Sequence, residues 1–186
     1  IGMMYMKNIL IYYDEFELII KDIASNSTVQ KMKNFNQHCD TDCFTHCKNV
    51  AFYSFVLCKK LHLDYISVAR AAMLHDLFLY DWRIKPRENV PVKGLHAFAH
   101  PKIALINASK LFNLNPKEKD IILKHMWPIT VALPKYKESY IVTLVDKFCA
   151  IQETLKYIKN KKKIKLIYNY TYIFLTILIL SFKNSL

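Results

Sequence analysis

His75 and Asp76 stand side by side in Ala71-Ala72-Met73-Leu74-His75-Asp76-Leu77-Phe78-Leu79, a run that is otherwise almost wholly apolar. An ionised carboxylate beside an imidazole is costly to bury without compensation. A metal ion is the commonest compensation for a pair of this kind. Other residues able to bind a metal are spread along the chain: His46 before the doublet, then His96 or His100, His125 and Asp146 after it. Imidazole and carboxylate together suit one or two divalent ions of Mn, Fe, Co, Ni, Zn or Mg. A carboxylate can bridge two metals, and two metals roughly 3.5–4 Å apart can hold a hydroxide and clamp a phosphoryl oxygen. The chemistry such a set implies is hydrolysis at phosphorus.

Helices must carry these groups. Glycine is confined to Gly2 and Gly94, which disfavours a turn-rich all-β fold and fits helices with short connections. The pattern predicts helices over 6–24, 28–35 (capped by Ser27), 43–61 (capped by Asp42) and 65–80 (capped by Asp64). A loop over 81–98 follows, broken by Pro86, Pro91 and Gly94. Pro101 fits the first turn of a helix to about 112. Asn115-Pro116-Lys117-Glu118 is a helix start, with a cap, a first-position proline and an acid at the third position. That helix ends near Trp127-Pro128, and a long one spans about 137–160. No internal repeat and no Gly-rich phosphate loop is present.

Each helical candidate falls on an apolar face. His46 lies three residues after Cys43 and four before Val50. His75 and Asp76 follow Ala72 by three and four, His125 follows Ile122 by three, and Asp146 follows Val142 by four. Residues at those spacings share a helix face. Four helices thus each turn a metal-competent group inward, and one shared site accounts for all of them more economically than separate buried partners.

The order His…His-Asp…His…His…Asp resembles the HD-domain superfamily of metal-dependent phosphohydrolases, over roughly residues 35–155. The resemblance implies an all-α HD-domain bundle. It implies that His46, His75, Asp76 and Asp146 hold one metal, and that His100 and His125 add a second. Asp76 and His75 would be the catalytic pair. His100 is preferred to His96 because Pro101 marks a helix start; His96 and Asp81 would stand behind the ligands. Arg83, Lys85, Arg87, Lys93 and Lys147 are candidate phosphate contacts, with Arg83, Lys85 and Lys147 preferred. The Gly-Lys that follows the doublet in many two-metal members is replaced by Leu77-Phe78-Leu79-Tyr80-Asp81, which argues against the cyclic-dinucleotide subgroup. The expected substrate is small and phosphorylated, with nucleotides first. A ligand-sensing module without turnover and a mixed-valent di-iron oxygenase remain open alternatives.

The bulk properties divide the chain. Its 186 residues can bury a sizeable core, and 53% are hydrophobic, which argues against disorder. The expected organisation is N-terminal helices over 1–34, an HD domain over 35–160 and a tail over 161–186. Residues 156–186 hold seven lysines and no acid, more than half of the net +12. The body is therefore only mildly basic, and nucleic acid is not an expected partner. Residues 166–182 are an uncharged run of 17, near the lower limit for a membrane span, and lysines precede them. The expectation is a cytoplasmic protein with membrane contact through this tail. Five cysteines, an odd count, fit free thiols in a reducing compartment. Cys39, Cys43 and Cys47 recur every four residues, which is not the C-x2-C spacing of structural zinc sites, so they read as small buried thiols.

Overall fold

A computed structural model describes residues 2–84 and 91–160 of the chain. Lys85, Arg87 and the tail over 161–186, including residues 166–182, lie outside the described residues. The fold is all-α. Its helices are α1 (Gly2–Ala24), α2 (Ser27–Gln30), α3 (Cys43–Lys60), α4 (Tyr65–Leu74), α5 (His96–Leu111), α6 (Pro116–Lys124) and α7 (Lys137–Asn160). A 3-10 turn over Lys31–Asn34 follows α2. Among the described residues, no helix is long and apolar enough to cross a membrane.

Helices α3 and α4 form the centre. Helix α7 packs on α3, α6 packs on α4, α5 and α7, and α1 covers α3 and α4 from outside. Phe16, Ile20 and Ile23 recur on one face of α1 and are fully buried. Phe16 meets Phe52 and Phe55 of α3 at 5.3 and 5.7 Å between ring centroids. Each such buried side chain contributes roughly 1.5–3 kcal/mol. Asp14 on the opposite side is exposed, and Glu15 and Glu17 pair with Lys59 and Lys48.

Helix starts follow local chemistry. Asp42 accepts from the Thr45 N–H at 2.8 Å and Asp64 from the Ser67 N–H at 3.0 Å. Asn115 and Glu118 form a reciprocal capping box at α6. At α2 the cap is Asn26 rather than Ser27: its Oδ1 accepts from Thr28 and Val29. The N-terminus of α4 is then tied down, because Lys117 pairs with both Asp64 and Glu138. Arg70, further along α4, grips Asp22 of α1 and Glu118 of α6.

Several boundaries differ from the expectation: α2 ends at Gln30 rather than 35, α6 ends at Lys124 rather than near Trp127, and three further departures bear on the site. Helix α4 stops at Leu74, not Tyr80. The chain turns there, with Leu77 N–H on Leu74 O, Phe78 N–H on Asp76 O and Leu79 at φ 57°. Leu77 and Phe78 remain buried in the turn, so their hydrophobicity mimics a helix that is not present. Helix α5 begins at His96, which moves Pro101 into the helix instead of its first turn. Pro101 forfeits one helical hydrogen bond there, and His96 stacks on His100 across the same turn, 4.4 Å between centroids. Finally, a short hairpin precedes α3. Strand β1 (Asn36–His38) pairs antiparallel with β2 (Thr41–Asp42), with an irregularity between Asn36 and His38 and with Cys39 in the turn at φ 51°.

Candidate metal centre

His75 is the C-cap of α4 and His125 is the C-cap of α6. Both use the same local device. A helix end leaves backbone carbonyls without partners, and an imidazole can satisfy one. His75 Nδ1 donates to Ala72 O at 2.7 Å and His125 Nδ1 to Ile122 O at 2.8 Å. His100, inside α5, does the same with Nδ1 on His96 O at 2.8 Å. A carbonyl only accepts, so each Nδ1 carries its hydrogen. Nε2 of each ring is therefore the nitrogen turned toward the interior, and it offers a lone pair whenever the ring is neutral.

Those lone pairs converge. His100 Nε2 lies 2.9 Å from His125 Nε2, and the two stand 3.2 and 3.4 Å from Asp76 Oδ1. Asp76 Oδ2 accepts a short hydrogen bond from the Gln37 side chain. His75 Nε2 lies 3.4 Å from Asp76 Oδ2 and 3.6 Å from Asp146 Oδ1. His75 Nε2 and Asp76 Oδ1 are buried without any hydrogen-bond partner among the described residues. Orphaned atoms of this kind are rare in folded proteins and call for an explanation such as a bound ion.

His46 on α3 differs in its support. Its Nδ1 faces the Glu153 carboxylate at 3.0 and 3.2 Å, and its Nε2 faces Asp146 Oδ1 at 3.0 Å. Asp146 and Glu153 are seven residues apart on α7, so one helix face brackets the ring. Burial opposes charge on His46 and His75. Asp146 and Glu153 around His46, and Cys47, Asp76 and Asp146 around His75, outweigh it and hold both rings well above the usual imidazole range. Burial likewise opposes ionisation of Asp76 and Asp146, but the surrounding imidazoles hold both carboxyls well below the usual range. Burial dominates at His125 and lowers it.

The structure thus brings His46, His75, Asp76, His100, His125 and Asp146 into one buried cluster. The ligand atoms of His46, His75 and Asp76 lie within 4.8 Å of one another, and so do those of Asp76, His100 and His125. The donor set, imidazole nitrogens and carboxylate oxygens facing one another in a buried cluster, fits divalent cations. These buried groups can hold a metal ion.

The other predicted residues sit around this cluster. His96 lends its carbonyl to His100, stacks on it, and meets the Tyr80 hydroxyl through Nδ1 at 2.9 Å. Lys147 Nζ donates to His125 O and Thr143 O at 3.2 and 3.3 Å, and burial lowers its pKa. Asp81 accepts from the Arg83 backbone N–H, and the exposed Arg83 guanidinium lies over Trp82. Lys93 is exposed. Two supporting residues escape the sequence reading. Glu153 was legible as a second acid on the Asp146 face of α7. Gln37 carries no periodic signal, since only the hairpin brings it to Asp76.

No family model, curated protein or solved structure matches this chain.

Proposed function

We propose that the chain is a metal-dependent phosphohydrolase of the HD type. It would cleave a phosphoester or phosphoanhydride of a small substrate, with nucleotides the first candidates. The observation that carries this reading is the convergence of His100 Nε2 and His125 Nε2, 2.9 Å apart, beside the buried Asp76 Oδ1. A cation is the simplest partner for all three atoms.

His46, His75, Asp76 and Asp146 would hold one metal, and Asp76, His100 and His125 a second. A divalent metal supplies an acidified water and stabilises charge on a phosphoryl oxygen. The chain's own residues do the rest. Backbone carbonyls at Ala72, His96 and Ile122 orient three of the four imidazoles, and Glu153 orients His46. Gln37 holds Asp76 so that its other oxygen meets His100 and His125. Lys147 keeps one ammonium hydrogen beyond the two carbonyls it serves, which is available to a phosphoryl oxygen. Arg83 would add a second positive contact at the rim.

The deciding experiment is metal content per chain by mass spectrometry, coupled to phosphate release from nucleotides and from mono- and diester chromogenic substrates with Mn, Fe or Co. Bound metal with phosphate release supports the proposal. Bound metal with no release from any substrate favours a ligand-sensing module. Iron with oxygen consumption favours an oxygenase.

A further inference from the structure

Helix α3 carries more than His46 into the cluster. Cys43 and Cys47 flank it at i−3 and i+1, and both thiols are buried. Cys43 Sγ donates to the backbone carbonyl of Asp76 at 3.3 Å, which fixes the thiol beside that residue. Cys47 lies against Cys43 and beside the His75 ring. One ligand atom each from Cys43, Cys47 and Asp76 falls within 4.8 Å of the others. Cys39, which continues the four-residue spacing in the sequence, is not part of this group, because it sits in the hairpin turn. Cys58 and Cys149 are also outside it.

Two sulfurs and a carboxylate oxygen form a ligand set of a different class from the imidazole-rich sets around it. Sulfur selects polarizable, thiophilic ions. The carboxylate in question is buried, with Oδ1 beside His100 and His125 and Oδ2 bonded to Gln37. Nothing in the hydrolytic reading uses the thiols.

We propose that Cys43, Cys47 and Asp76 form a second kind of metal site, which takes a thiophilic d10 cation such as Zn²⁺ or Cd²⁺. Binding expels the two thiol protons to solvent and forms two metal–sulfur bonds and one metal–oxygen bond. Because Asp76 is common to both ligand classes, an ion held by the thiolates draws on the same carboxylate as the imidazole cluster. The site itself stands on its geometry and does not depend on the hydrolase reading.

The test is titration of the full-length, metal-free chain with Cd²⁺, read by the ultraviolet thiolate-to-cadmium charge-transfer band and by cadmium-113 NMR. The band should appear in the native chain and saturate. It should vanish in the Cys43→Ser/Cys47→Ser double variant and persist in His100→Ala/His125→Ala. The NMR signal of the native chain, which requires no variant, should fall in the downfield range of sulfur ligation. A native chain with no band, a band that survives in the double-cysteine variant, or a resonance confined to the nitrogen–oxygen range would each overturn the proposal.

Discussion

The two corners of the cluster reach similar ligand types by different supports. At one corner, His46 and His75 sit among Asp146, Glu153 and Asp76, so acids surround the imidazoles, and only His75 also leans on a backbone carbonyl. At the other, His100 and His125 lean on backbone carbonyls and share a single carboxylate, Asp76. The first corner is rich in negative charge and holds its rings ready to carry a proton. The second has one carboxylate between two imidazoles, with His125 pushed down by burial. A carbonyl fixes a ring's direction, whereas a carboxylate also changes its basicity. The corners should therefore bind a cation with different dependence on pH and on their supporting residues.

The largest effect belongs to the residue they share. Asp76→Ala should abolish metal binding at both corners and eliminate hydrolysis, as read by metal content and phosphate release. Full activity in this variant would end the model of a shared carboxylate. Next come variants confined to one corner. His100→Ala with His125→Ala should lose one metal per chain and keep the one at His46, and His46→Ala should do the reverse. Equal loss in both variants would mean that the corners act as one site.

Glu153→Gln should sharpen the contrast. It removes the charge that supports His46 while nearly preserving shape, and outer-shell changes of this type cost about 10–100-fold in metal affinity. Affinity measured in the His100→Ala/His125→Ala background should fall by that range. Affinity measured in the His46→Ala background should not change.

The corners should also part along the pH axis. Protons and metal compete for the same nitrogens. His46 and His75 are held above the ordinary imidazole value of 6.5, so metal affinity at their corner should decline as pH falls through a range that begins above 6.5. His125 is held below it, so proton competition at that ring should set in only at lower pH. Mn²⁺ titrations of the two single-corner variants across pH would show two separated curves, and coincident curves would refute the asymmetry.

The smallest effect lies in the scaffold. Asn115→Ala breaks the capping box of the helix that ends at His125, a loss of about 1 kcal/mol. Thermal denaturation should register that loss. Metal affinity at the His100–His125 corner should fall slightly while the His46 corner is unaffected.

Glu153 and Gln37 show where sequence legibility stops. Glu153 shares a helix face with Asp146 and its role follows from helical periodicity once His46 is placed opposite. Gln37 lies on a short irregular strand whose pairing depends on contacts distant in sequence, so no local pattern announces it. The same limit explains the early end of α4. Hydrophobic periodicity records which residues are buried, and Leu77 and Phe78 are buried in a turn as fully as they would be in a helix. At α5, a proline that locally marks a helix start lies inside a helix that begins at His96, where the ring stacks on Trp82 from the preceding loop.

By itself, the sequence determined the all-α class, the caps at Asp42, Asp64 and Asn115, and the residue types able to bind a metal, because each depends on neighbours within a helical turn or two. The tertiary structure alone decided that the histidines converge on Asp76, that Glu153 and Gln37 support the cluster, and that Cys43 and Cys47 but not Cys39 approach Asp76. Those facts depend on distances between α3, α4, α5, α6 and α7, which are set by packing of the whole core and not by any local run of residues.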